Sequence, residues 1–270
     1  MTSESIWSDV ERIRHDAPLI HNITNYVVMN TTANALLALG ASPVMAHAVE
    51  EVEEIVGISS ALVLNIGTLS GPWIESMFRA ALAARRKGIP VVLDPVGAGA
   101  SRLRTDTARR LLTEIRPTIV RGNASEIRAL VLTEMGTKGV DSRHGSDEAL
   151  EAALALSEKF GCVVSVSGAI DLIVQGDKIV RTANGHPLMP KVTGLGCAAS
   201  ALTGAFAAVN PSPFDAAASA MVIMGIAGEM AADGAQGPGS FQVRFFDALY
   251  RLGWEDVRSR FRPVPNSEWV

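Results

Sequence analysis

The chain has 270 residues, 48% hydrophobic and 19% charged, a balance far from the composition that leaves a chain without a packed core. Its 24 basic and 28 acidic residues give a net charge of -4, which offers no basic field for a nucleic-acid backbone. The two cysteines, Cys162 and Cys197, lie far apart and outside any metal-ligand spacing, so neither a disulfide framework nor a structural zinc site is indicated and a reducing, cytoplasmic setting fits.

Residues 1–17 mix acidic, basic and apolar side chains and lack the unbroken apolar core of a signal peptide. Residues 22–49 carry no Lys, Arg, Asp or Glu, but Asn25, Asn30, Asn34, Gly40, Pro43 and His47 interrupt them, which argues against a membrane span. Short runs apolar on both faces predict buried parallel strands at 61–65, 90–93, 118–120 and 162–166. Helical patterns at 73–87 and 103–115 alternate with them, with basic residues gathered near their C-terminal turns. Residues 170–174 and 179–182 flank Gly176-Asp177 and predict an antiparallel edge hairpin. Three more helices are predicted at 197–209, 214–232 and 241–252, the middle one Ala- and Met-rich and hence buried. No composition break marks a linker, so residues 1–270 read as one α/β domain with a mostly parallel sheet.

Residues 191–199 (KVTGLGCAA) set Gly194 and Gly196 ahead of a small-residue helix, where backbone N–H groups can converge on an anion. An ordinary glycine turn before a packed helix explains the same string. It also satisfies G-x-G-x-x-A, but it falls late in the chain and after the hairpin, and Asp215 follows Pro211-Ser212-Pro213 as a helix start, so a dinucleotide fingerprint does not fit. The GxxxxGK[ST] phosphate loop is absent from the sequence.

Residues 91–99 (VVLDPVGAG) place Asp94 at the carboxyl end of a strand, where a carboxylate suits magnesium or simply closes the turn before Pro95. In RGNASE, residues 121–126, Arg121 can fork onto phosphate oxygens, while Asn123 and Glu126 have the spacing of a helix capping box. Cys197, in the first turn behind the glycines, can act on a hydroxyl as a base if the helix terminus lowers its pKa, or can only position it. Cys162 opens an apolar strand and reads as core, and His21 and His47 as structural histidines. An anion hole, two carboxylates and an arginine at one sheet edge are the parts that phosphoryl transfer needs.

The run PLIHNITNYVVMNTTANALLALGASPVMA at 18–46, then VLNIGTL, LDPVGAG, RGNASE and VTGLGC, together resemble the hydroxyethylthiazole kinase family of thiamine salvage over residues 18–252. The resemblance implies a three-layer α/β/α ribokinase-like fold that moves the γ-phosphate of ATP, with Mg2+, to the hydroxyl of 4-methyl-5-(2-hydroxyethyl)thiazole. It assigns Arg121 and Ser167 to the nucleotide, Met45, Asn25 and Gly194 to the thiazole, and Asp94 and Glu126 to the metal-phosphate region. Cys197 matches the family's catalytic cysteine, flanked by Gly194 and Gly196. It also implies a homotrimer with active sites between subunits. Leu195 and Ser167 depart from the family pattern, Leu195 by adding bulk beside the anion hole and Ser167 by dropping a threonine methyl. A kinase for another hydroxymethyl heterocycle and a non-catalytic thiazole-binding protein are the alternatives.

Overall fold

The computed structural model describes residues 1–131 and 145–265. Helix α1 (Ser3–Asp16) opens on a reciprocal cap between Thr2 and Ser5 and buries Ile6, Val10 and Ile13, one face at helical spacing, together with Asp9, which pairs with Arg12. The charge-poor stretch then runs from the end of β1 (Leu19–Ile23) through α2 (Met29–Leu39) and the short β2 (Ser42–Val44). After α3 (Val52–Ile58) come β3 (Ala61–Asn65), α4 (Gly71–Lys87) and β4 (Val91–Asp94). Helix α5 (Arg102–Arg110) passes into a π turn over Leu111–Ile115, so the predicted helix at 103–115 changes hydrogen-bond pattern before its end.

Next follow β5 (Ile119–Asn123), α6 (Ala124–Val131), α7 (Gly145–Phe160) and β6 (Val163–Ser167). The predicted hairpin is β7 (Asp171–Gln175) and β8 (Lys178–Thr182), turning at Gly176 with φ 55°. Four helices close the chain: α8 (Leu195–Val209), α9 (Pro213–Ala232), α10 (Pro238–Arg251) and α11 (Trp254–Arg260).

The strands form one sheet in the order β2-β1-β3-β4-β5-β6-β7-β8, parallel through β6 and antiparallel across β7 and β8. The chain beyond α11 pairs with the end of β8: Ala183 donates to the Arg262 carbonyl and Val264 to the Arg181 carbonyl, around a bridge between Thr182 and Pro263.

Period-two alternation along the strands builds two cores. Ile20, Val63, Val92, Ile119, Val163 and Ile173 face α8 and α9, whereas Leu62, Leu64, Leu93, Val120, Val164 and Val174 face the layer of α4 and α7. Each fully buried Leu, Ile or Val contributes about 1.5–3 kcal/mol relative to exposure. Helix α9 alone among the described residues is long and apolar enough to cross a membrane, yet 89% of its apolar window is buried against the sheet, α8 and α10, which makes it a core helix. Helix α8 lies directly on β1 and β3, because a Cβ at Gly204 would come within 2.7 Å of Val63 Cγ2. This approach aims the N-terminus of α8 at the carboxyl edge of the sheet.

Candidate active site

Parallel register lines up the strand ends that carry chemistry. Asn65 pairs with Asp94 across β3 and β4, and Asn123 pairs with Ser167 across β5 and β6. Facing them, α8 begins at Gly194, whose φ of 90° turns the chain into the helix with no side-chain cap. The first amides of α8 therefore point outward with the positive end of the helix dipole behind them.

Asp94, Arg121, Glu126, Ser167, Gly194, Gly196 and Cys197 line one cavity of about 240 Å³, together with Val96 and Asn123. Asn25 stands just behind it, its Nδ2 donating to Asn65 Oδ1 at 2.8 Å and to Cys197 Sγ at 3.5 Å. Met45 follows β2 beyond β1, half-buried, and is not among the residues lining this cavity. The loop that carries it is pinned by the buried His21, whose Nε2 bonds the Ala46 carbonyl at 2.8 Å. Burial lowers the pKa of His21 and keeps it neutral, which agrees with a structural histidine. His47 packs against Trp73 with ring centroids 4.6 Å apart.

Arg121 is buried and donates through Nη1 to the Gly196 carbonyl at 2.8 Å. The capping box forms as its spacing suggested: Glu126 N donates to Asn123 Oδ1 at 3.0 Å, and Asn123 N to Glu126 Oε2 at 2.9 Å. The other oxygen of Glu126 accepts from Gly97 N at 2.9 Å, so one carboxylate braces the start of α6 and the turn after β4 while facing the cavity.

Asp94 is fully enclosed, its Oδ2 accepting from Asn65 Nδ2 and from Ser200 Oγ, each at 2.7 Å. Burial pushes its carboxyl up to about 6, against the opposing pull of Arg121 and the Ser200 hydrogen bond. Cys197 is pushed up to about 11, by burial first and then by the neighbouring Asp94 charge. Of the two roles left open for Cys197, this favours a neutral thiol that positions a hydroxyl over a thiolate base.

Leu195 departs from expectation. It is 3% exposed and packs into the core beneath α8, so its bulk does not border the anion hole. Ser167 keeps its hydroxyl at the cavity, 3.4 Å from the Gly122 carbonyl. It also lines a second, mostly apolar cavity of about 280 Å³, walled by Ala124, Leu150, Val166, Ile170 and Leu172.

Sequence reasoning did not single out Asn65, Ser200, Arg104 or Asp171. Arg104 donates to the carbonyls of Val96 at 3.0 Å and Gly67 at 2.6 Å, tying together the loops after β4 and β3. Asp171 Oδ1 accepts from Gly168 N at 3.0 Å and shapes the turn behind Ser167; burial pushes its carboxyl up to about 6. A polar residue at a strand's last position was the available signal for Asn65.

Among the described residues no group of three His, Cys, Asp or Glu side chains gathers as a metal cage. The donor set still suits a hard cation shared with phosphate oxygens, since magnesium is commonly held by one or two carboxylates and keeps several waters. Asp94 spends Oδ2 on protein donors, which leaves Oδ1 for such an ion, and the Glu126 charge lies close enough to raise the Asp94 pKa.

A model of the hydroxyethylthiazole kinase family matches residues 10–255. The hydroxyethylthiazole kinase of Syntrophus aciditrophicus (strain SB) is 60% identical over 265 residues, 98% of each chain. That of Nitratidesulfovibrio vulgaris (strain DSM 19637 / Miyazaki F) is 58% identical over 260 residues, 96% of this chain and 97% of the other. The solved hydroxyethylthiazole kinase from Pyrococcus horikoshii OT3 superposes with a TM-score of 0.90 at 45% identity, over 97% of this chain and 100% of that one. Pyridoxal kinase from Staphylococcus aureus, at 17% identity and TM-score 0.62 over 78% of this chain and 88% of its own, shares the ribokinase-like fold.

Proposed function

The chain belongs to the hydroxyethylthiazole kinase family, and on that premise we propose that it transfers the γ-phosphate of ATP to the hydroxyl of 4-methyl-5-(2-hydroxyethyl)thiazole, releasing ADP and the thiazole phosphate. The observation that carries this reading is the single cavity in which Asp94, Arg121, Glu126 and Cys197 meet the uncapped start of α8.

In this reading the triphosphate enters past Ser167 and Arg121, with the purine in the apolar cavity on the far side of Ser167. The amides of residues 195–197 and the Arg121 guanidinium take up charge as the phosphoryl group moves, and no reorganisation is required of them. Asp94 and Glu126 hold Mg2+, which when bound neutralises phosphate charge. The thiazole lies on the side of Asn25, Gly194 and Met45. Cys197 positions the alcohol as a neutral thiol. The alcohol oxygen forms the new P–O bond, the bond to the ADP oxygen breaks, and the alcohol proton leaves to a phosphoryl oxygen. Catalysis is then mainly alignment and electrostatics.

Three copies assemble with the site between subunits in this proposal. Tyr26 and Val27, 66% and 64% exposed beside Asn25, supply an apolar surface for the neighbour. A cytoplasmic location agrees with the two cysteines, both free.

The test is ADP formation from ATP and Mg2+, with the thiazole alcohol and with a hydroxymethylpyrimidine as competing acceptors. Turnover dependent on the thiazole alcohol is the expected result. Preference for the pyrimidine would reassign the acceptor, and calorimetric thiazole binding without ADP release would make this a binding protein.

A further inference from the structure

We infer that Asn65 is the positioning residue of this site, the group that determines which way the amides around Cys197 point and hence where the thiol hydrogen is directed. The inference deepens the proposed function and rests on the assignment of Cys197 to the acceptor hydroxyl.

Asn65 ends β3 and is 1% exposed, so its amide cannot exchange partners with bulk water. Its Oδ1 accepts from Gly67 N at 3.0 Å. A backbone N–H can only donate, so this one contact dictates which end of the Asn65 amide faces the turn. Nδ2 is then turned to Asp94 Oδ2 at 2.7 Å, a carboxylate oxygen that needs a donor. The reverse orientation would set two donors against each other at Gly67 and two acceptors against each other at Asp94.

The same Oδ1 also accepts from Asn25 Nδ2 at 2.8 Å, which passes the polarity on to the next amide. Asn25 must present its NH2 end, and the second hydrogen of that group goes to Cys197 Sγ at 3.5 Å. The sulfur therefore meets a donor on its protein side and acts there as an acceptor. A neutral thiol so held directs its own hydrogen away from Asn25, into the cavity that Cys197 lines. There it can donate to the acceptor alcohol oxygen, which leaves the alcohol hydrogen free to face the phosphoryl oxygens. One backbone N–H, at Gly67, thus sets donor and acceptor directions for three side chains.

Substitution of Asn65 tests this. Asn65→Ala removes the link, and Asn65→Asp keeps size and Oδ1 but replaces the donor to Asp94 by an acceptor. Both are expected to lower kcat by about 100-fold, the usual cost of a misplaced reacting group, while KM for ATP stays at the wild-type value. Asn65→Asp, the isosteric change, should be at least as damaging as Asn65→Ala; a residue that only fills space would show the opposite order. In the pair Asn25→Ala with Asn65→Ala, the combined loss of kcat should be smaller than the product of the single losses. A combined loss equal to the product of the two single losses would overturn the inference.

The S–H stretching band of Cys197, isolated as the Raman difference between wild type and Cys197→Ser, gives a readout independent of turnover. It should shift in Asn65→Asp and in Asn25→Ala. An unshifted band in Asn25→Ala overturns the inference even if both Asn65 variants fail to fold. Loss of thiazole-dependent turnover in the wild type would instead defeat the proposed function, and the band would still report on Asn65.

Discussion

Arg121 Nη1 donates to the backbone carbonyl of Gly196 across 2.8 Å, joining β5 to the first turn of α8 at the cavity wall. The guanidinium thereby holds the first turn of α8 and lines the cavity at once, and in the proposed function it also meets the phosphates, tasks that suit its rigid fork and not a single ammonium. Arg121→Lys is expected to lower kcat/KM for ATP by about 10- to 100-fold while calorimetric affinity for the thiazole alcohol without nucleotide is unchanged. Equal loss on both substrates would mean that the turn, and not the phosphate contact, had been lost.

Cys197 stays protonated at pH 7, because burial and Asp94 push its thiol up to about 11. Iodoacetamide should therefore label it slowly at neutral pH, with a rate rising about tenfold per pH unit toward the thiol's pKa. Cys162, pushed up to about 12 and buried in the core, should not compete, and Cys197→Ser supplies the background. In the same variant kcat should fall by about 100-fold with little change in thiazole KM. Fast labelling at pH 7 would restore the thiolate as the active form.

Asp94 and Asp171 both have carboxyls raised from 3.8 to about 6, chiefly by burial. Below 3.8 each is protonated in the folded and the unfolded chain, and above about 6 ionised in both. Between these values the folded state holds more protons, so folding stability falls as pH rises through the window. Asp94 faces Arg121 from β5, Glu126 from α6 and Ser200 from α8; Asp171 faces Arg121 and the Gly168 amide. Neutral His21 changes stability in the opposite direction below its ordinary pKa of 6.5, so the comparison must be with variants. Urea unfolding of Asp171→Asn should show a weaker loss of stability with rising pH than wild type, with a gain on the order of 2 kcal/mol at neutral pH. Parallel pH curves would place the Asp171 carboxyl at its ordinary value.

Gly194 holds φ at 90°, and a Cβ there would stand 3.0 Å from Val28 Cγ1. Gly194→Ala is expected to cost about 1–3 kcal/mol of stability and to reduce ATP turnover, because the turn must shift to admit the methyl. Circular dichroism melts alongside ADP assays check both. A variant of wild-type stability and rate would show that the turn tolerates a side chain.

The alternation of strand and helix from β3 onward was legible because both faces of those strands are apolar and their polar last residues stand out. The elements ahead of β3 were not. Helix α1 hides its core face among charges, and the strand end at Asn22 and Ile23 runs without a composition change into α2. At the site, Asp94, Arg121, Glu126 and the glycines of α8 were legible because charge and φ freedom mark themselves in a sequence. Asn65 and Ser200 were not, since an uncharged residue gains its importance from a partner across the sheet: Asp94 is 29 positions from one and 106 from the other. The pKa of Cys197 was likewise invisible, because it depends on how much protein encloses the sulfur.

The pairing of Arg262 and Val264 with the flank of β8 has a consequence for colloidal behaviour. With the Arg181–Thr182 end of β8 paired, each lateral rim left for strand addition among the described residues is three residues long, 178–180 on β8 and Ser42–Val44 on β2. Rims so short give incoming chains little to extend upon, and clipping ahead of Arg262, which lengthens the one on β8, should speed fibre nucleation.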